Sequence, residues 1–157
     1  MRKLTFKLDM GMMRFVVCSI LMAGCTTLKI QSFGDISVST LPEDERIAFK
    51  IQNISENEVV FPSLSNFYLE MLNSEEWKRI PYTPCPCGVP CARPIPRKLK
   101  PNEQTTIYWN YLSRKCKGRE AIEETLTKGQ FRLRVNYQVR EENKISKSEK
   151  IWVEFKR

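Results

Sequence analysis

The sequence predicts an all-β fold, an antiparallel β-sandwich of about seven strands. Three observations predict it. Apolar and polar residues alternate with period two in run after run. Short polar turn segments divide those runs. Only Arg119–Leu126, with Ala121, Ile122 and Leu126, has helical spacing, enough for one or two turns.

The runs can be taken in chain order. Ile36 and Val38 alternate with Ser37 and Ser39, and Ile47, Phe49 and Ile51 with Ala48, Lys50 and Gln52. After the turn Asn53–Glu58 comes Val59-Val60-Phe61, and then Phe67, Leu69 and Met71. Leu99-Lys-Pro-Asn-Glu103 is a turn that precedes Ile107, Trp109 and Tyr111. Leu126-Thr-Lys-Gly129 precedes the cleanest run, Phe131–Val139, whose odd positions are apolar and even positions polar. Glu141-Glu-Asn-Lys144 then divides it from Ile151, Val153 and Phe155, as a hairpin turn would. A strand with one face in a core and one in water has to read this way, because successive side chains point to opposite faces.

Some of these pieces carry a resemblance. Asn53 with Val59-Val60-Phe61, then Leu99-Lys-Pro-Asn-Glu103, then Gly129-Gln-Phe-Arg-Leu133 resemble the bacterial immunoglobulin-like domains of envelope proteins. Asn102 stands where that pattern usually has glycine, and Phe131 where it usually has tyrosine. The resemblance implies an immunoglobulin-like sandwich that binds or scaffolds, with no shared catalytic residues and no tyrosine-corner hydroxyl bond.

The N-terminus reads differently. Phe15–Gly24 is an apolar run of ten residues, half of what a spanning helix needs, about 20. It follows Arg2, Lys3, Lys7 and Arg14, as the apolar region of a secretory signal follows its basic flank. Small residues Ala23 and Gly24 then lead to Cys25. Leu21-Met-Ala-Gly-Cys25 resembles a bacterial lipobox, with Met22 where the motif prefers leucine. That resemblance implies a diacylglyceryl group on the Cys25 sulfur, cleavage before Cys25 and acylation of the new amine. With Thr26 next, it also implies sorting to the outer membrane in a cell with two membranes. The expected organisation is a lipoprotein signal peptide over 1–24, a lipidated N-terminus and tether over 25–34, and the immunoglobulin-like sandwich over 35–157. The membrane lipid on Cys25 is the one partner this assigns.

Segment 81–101 breaks the pattern. It holds seven of the nine prolines and three of the six cysteines. Proline has no N–H to donate, so this is no central strand. A loop of that length inside a domain is functional, stapled or disordered. Cys18 departs with the signal and Cys25 takes lipid, which leaves Cys85, Cys87, Cys91 and Cys116. An even set in an oxidising compartment predicts two disulfides. Cys85–Cys87 would close a strained ring. Two pairings remain open: Cys85–Cys91 with Cys87–Cys116, or Cys87–Cys91 with Cys85–Cys116. The competing use of four thiolates is a metal or redox site, but the C-x-C-x3-C spacing departs from the usual C-x2-C pairs of zinc, and no metal or other cofactor is expected.

Charge and composition bound the function. The chain has 157 residues, 26 basic and 18 acidic, for a net +8, and no histidine. Without histidine the Ser-His-Asp and Cys-His arrangements are excluded, as is the commonest general base at neutral pH. No phosphate loop or G-x-G-x-x-G occurs. The expectation is a non-enzyme. The basic residues are interspersed with acids, so no nucleic-acid partner is expected. A candidate contact surface for an envelope protein or an anionic surface combines Arg93, Arg97, Lys98 and Lys100 of the proline-rich loop with Arg132, Arg134 and Arg140 of one strand. Two further readings stand beside the binding module: an inhibitor that offers the loop to an extracytoplasmic protease, and a cysteine-based metal or redox protein. Trp77, Trp109 and Trp152 read as core or edge packing, with Trp152 the most exposed, and Asn53-Ile-Ser55 as a turn.

Overall fold

The computed structural model describes residues 28–64, 68–142 and 144–157. The signal segment, the lipobox with Cys25, and Phe67 lie outside the described residues. Twelve strands are formed among the described residues: β1 (Lys29–Ser32), β2 (Ile36–Pro42), β3 (Ile47–Asn53), β4 (Glu58–Phe61), β5 (Tyr68–Asn73), β6 (Glu76–Ile80), β7 (Arg97–Leu99), β8 (Gln104–Trp109), β9 (Leu112–Lys117), β10 (Glu120–Thr125), β11 (Gln130–Glu141) and β12 (Lys144–Lys156).

They form two facing antiparallel sheets and one extra hairpin. The first sheet has the order β1-β2-β3-β8. The second is built on β11, which pairs with β12 along its full length on one side. On its other side β11 pairs with β5 at Phe131–Arg134 and with β4 at Gln138–Arg140; β6 extends β5 and β7 extends β4. One core lies between the sheets. Ile36, Val38, Ile47, Phe49 and Ile51 meet Leu69, Phe131, Leu133, Val135, Tyr137 and Val153 there, all nearly solvent-free. Phe155 packs edge-on against Phe49 at 5.0 Å and stacks on Phe131 at 5.6 Å, and Trp109 sits against both Phe131 and Phe155.

Twelve strands stand where about seven were expected, and the surplus has a physical source. β10 is exposed throughout and β9 is at most half-buried, so no buried face imposes an alternation. Residues 120–125, expected to be helical, instead pair with β9 from Glu120↔Lys117 to Thr125↔Leu112. Gly118, at φ 65°, opens the two-residue turn that makes this pairing. β1 falls in the segment expected as a tether; Lys29–Ser32 pair with Thr40–Ser37 of β2. The β5–β6 hairpin turns through Ser74 and Glu75, both at positive φ without a glycine, and so gave no turn signal.

Two polar side chains are buried for structural reasons. Asn53 is fully buried and all its side-chain capacity is used. Its Nδ2 donates to the Asn57 and Leu99 carbonyls at 2.7 and 3.0 Å, and its Oδ1 accepts from the Ser55 backbone N–H and hydroxyl. Its backbone bonds Asn102 and Glu103 as well. One residue thus ties the β3–β4 turn to the β7–β8 turn. Asn102 adopts φ 64°, a conformation asparagine tolerates, where the resembled pattern has glycine. Tyr137 sends its hydroxyl to the Phe33 carbonyl at 3.1 Å and to Asp35, which also pairs with Lys147. Burial, with the nearby Asp35 charge, pushes the Tyr137 phenol up to about 12.

Replacing Asn53 by alanine takes its Nδ2 donor from the buried Leu99 carbonyl and is expected to cost about 1–3 kcal/mol. Urea unfolding should show a lower midpoint with an unchanged slope. The Tyr137 phenol gives a pH signature. The unfolded chain releases this proton near pH 10, roughly the free phenol value. The folded protein keeps it up to about 12. Its contribution is therefore complete below pH 10 and is lost as pH climbs through that window. Tyr137→Phe should be less stable at pH 7, by about 1 kcal/mol. The gap to wild type should close in alkaline melts.

Candidate functional site

Residues 81–96 leave β6 and cross one open side of the sandwich before rejoining the sheet at β7. Their prolines supply few donors, so the segment is held by other means. Thr83 N–H donates to the Arg114 carbonyl at 3.2 Å, and Arg114 N–H donates to the Pro81 carbonyl at 2.7 Å, a short parallel contact with β9. Two disulfides complete the attachment: Cys85–Cys91, six residues apart, and Cys87–Cys116, 29 residues apart. This is one of the two pairings left open by the sequence. The larger bridge fastens the loop to the β9–β10 hairpin. A two-stranded hairpin has little stability alone, so loop and hairpin hold each other. Gly88, at φ 80°, packs so closely on the hairpin tip that a Cβ would lie 2.7 Å from Arg119 Cγ.

Loop and hairpin together form a lobe, and its 81–96 segment faces outward. Ile95 is 87% exposed and Val89 55%. Between the loop and the free edge of β8 runs an open groove lined by Leu64, Arg93, Ile95, Arg97, Thr105 and Ile107. With all four sulfurs paired, the lobe offers no thiolate to a metal. Among the described residues no group of three His, Cys, Asp or Glu gathers at metal-binding distance.

The seven candidate basic residues divide among three places. Arg93 and Arg97 line the groove. Arg132, Arg134, Arg140 and Lys98 instead share the outer face of the β11 sheet, as the register Gln138↔Val60↔Lys98 requires. Lys100 lies in the β7–β8 turn, where its backbone N–H donates to Glu103 at 2.9 Å. Loop and strand cations therefore do not make one continuous stripe.

The outer-face arginines are also largely spoken for. Arg132 lies between two indoles, 4.4 Å from the Trp77 ring centre and 4.1 Å from that of Trp152. Its Nε donates to Glu70 at 2.6 Å, and Glu70 is buried beneath it. The Arg134 and Arg79 guanidinium groups lie 3.7 and 5.0 Å from the centre of the Tyr68 ring. Arg140 and Lys98 share the Glu58 carboxylate, each at 3.9 Å. Cations cover the ring faces and carboxylates answer two of the arginines, so this ladder packs the sheet surface more than it offers charge. Trp152 is half-buried here, and Trp109 is fully in the core.

Sequence reasoning missed this ladder. The available signal was the i, i+2 placement of Arg132 and Arg134 opposite Glu70 and Tyr68, which is visible only once the register Arg132↔Glu70 is known. Cys25 lies outside the described residues. No family model and no curated protein matches the chain.

The two bridges should differ in what they contribute. Closing the larger loop constrains the unfolded chain by about 3.5 kcal/mol and the smaller by about 2, on the chain-entropy relation. The Cys87→Ser/Cys116→Ser pair should therefore lose more stability than Cys85→Ser/Cys91→Ser. It should also open the 81–96 segment to limited proteolysis, read by mass spectrometry, while the core strands stay intact.

Proposed function

We propose that this chain is a lipoprotein of the bacterial cell envelope, anchored through lipid on Cys25, whose immunoglobulin-like sandwich is a non-catalytic binding or structural module. The observation that carries it is the lobe: two disulfides hold a proline-rich segment whose Tyr82 packs against the core while Val89 and Ile95 stay exposed. A structure kept rigid and exposed in that way suits a contact surface, since rigidity lowers the entropy lost on binding. Disulfides fit an exported protein, and the signal and lipobox read from Arg2 to Cys25 supply the export route and the anchor. The absence of histidine fits a module without acid–base chemistry. The partner is an envelope component that accepts an apolar ridge around Ile95 flanked by Arg93 and Arg97.

The same lobe favours one second reading. A stapled, extended segment with an exposed aliphatic residue also suits insertion into the cleft of an extracytoplasmic protease.

A photo-crosslinking residue at Ile95, compared with one at Ser37 on the opposite sheet, tests both in intact envelopes. The binding module requires a discrete adduct from position 95 that position 37 does not give. Equal or absent labelling at the two positions would remove the lobe as a contact surface. An adduct with a protease, whose activity the purified domain then lowers, would move the assignment to the inhibitor.

A further inference from the structure

Nine large hydrophobic side chains are exposed among the described residues, and four of them gather at one end of the β1-β2-β3-β8 sheet. The strand registers show how. On the outer face of that sheet Leu41, Ala48 and Tyr108 stand side by side in one cross-strand row. The next row is Ile30, Ser39, Lys50 and Thr106, and the one after is Ser32, Ser37, Gln52 and Gln104. The face is thus graded, from apolar through mixed to wholly polar, over about 13 Å of strand. Leu41 is 40% exposed, Tyr108 46%, Ile30 63%, and Leu28, just ahead of β1, 53%. Nothing in the core accounts for them.

The apolar end is the end at which the chain enters the fold. This inference rests on the lipoprotein reading of Cys25. Two residues, Thr26 and Thr27, separate Cys25 from Leu28. Covalent geometry alone keeps the two Cα atoms within ~11 Å. The headgroup layer is only about 5–8 Å deep on each side of the hydrocarbon. A domain tied so closely cannot hang free of the bilayer, and its entry end must meet the headgroups.

We propose that the Leu28, Ile30, Leu41 and Tyr108 end of this sheet is a membrane-docking surface, seated in the interface of the bilayer that holds the Cys25 lipid. The chemistry fits a lipid surface. Aliphatic side chains enter the upper ~5–10 Å of the leaflet, and a tyrosine at their margin occupies the position aromatic residues prefer at that boundary. Arg46, whose guanidinium lies 4.3 Å over the Tyr108 ring, and Lys50 border the row. Glu43, Asp44 and Glu45 lie beside them, with Glu43 paired to Arg46. With both signs present, the apolar row and the anchor carry the docking, and it should survive high salt.

The test uses the full lipidated chain, reconstituted into phosphatidylethanolamine and phosphatidylglycerol vesicles with plain or brominated acyl chains. Leu41→Trp, Tyr108→Trp and Gln104→Trp each place a reporter on the exposed outer face, and wild-type emission is subtracted. The expected result is loss of reporter emission on brominated lipid for positions 41 and 108, with none for 104, in low and high salt alike. Intact mass of the purified chain separates the two ways to fail. A chain without diacylglycerol on Cys25 removes the tether, and with it both the lipoprotein reading and the docking. A lipidated chain with no bromine quenching at 41 and 108 overturns the docking alone. Quenching at all three positions would lay the sheet flat and overturn the graded contact. An emission change that follows protein density in plain vesicles would place a second copy on the row, and would overturn it too.

Discussion

The whole molecule is referenced to one strand. Among the described residues β11 is the one strand that pairs with three others, with β12 along one edge and with β5 and β4 in succession along the other. Its inward residues Phe131, Leu133, Val135, Tyr137 and Val139 are all nearly solvent-free. A one-residue slip of β11 would turn that entire set outward and bury Arg132, Arg134 and Arg140 instead. The register is therefore fixed by hydrophobic burial. The cross-strand meeting of Arg132 with Glu70, and the stacking of Arg132 between Trp77 and Trp152, follow from it and reinforce it on the other face. The outer ladder shields Glu70, so its loss would expose the seam between β5 and β11 to water.

The two ends of the sandwich are closed by different means. At the end of the β7–β8 turn, a single asparagine satisfies four backbone or side-chain partners, and Tyr137 bonds the β1–β2 connection. Buried polar groups with every partner in place specify one arrangement of turns, where apolar contacts would tolerate several. At the other end the chain leaves β8 through Tyr111, a buried residue at φ 54°. Trp109 packs on its ring and the Arg157 guanidinium lies 4.0 Å from it. A left-handed aromatic residue costs about 1–3 kcal/mol. Its packing holds the corner from which the β9–β10 hairpin departs, and so sets where Cys116 meets Cys87.

How much of this was legible depended on whether a residue had one dry face. The buried strands, β2, β3, β8, β11 and the end of β12, were readable because alternation records burial directly. β9 and β10 were not, because strands without a buried face leave no pattern, and Ala121 and Ile122 suggested a helix in its place. The cysteine count showed that the proline-rich loop was stapled, and strain removed one pairing. The choice between the remaining two needed the approach of β9 to Pro81 and Thr83, a long-range contact with no local signature. The basic residues were visible as types, but type does not say which face a residue shares. Lys98 joined the β11 face and Arg97 the groove because adjacent residues of a strand point opposite ways.

The lobe and the graded sheet end constrain each other. Thr105 and Ile107, which line the groove under the proline-rich segment, lie on β8 only three and one residues before Tyr108. At roughly 3.3 Å per residue the groove stands within about 10 Å of the apolar row along the strand. Were that row seated at the bilayer, as we propose, the short tether would hold the lobe sideways, close above the headgroups. On that proposal a partner reaching Ile95 would itself sit at the membrane surface, because a component free in solution would have to approach along the bilayer and share the layer with lipid headgroups. The disulfides then have a purpose beyond stability. In that arrangement they would keep the proline-rich segment from folding down onto the membrane, where Ile95 and Val89 would otherwise find a competing apolar phase.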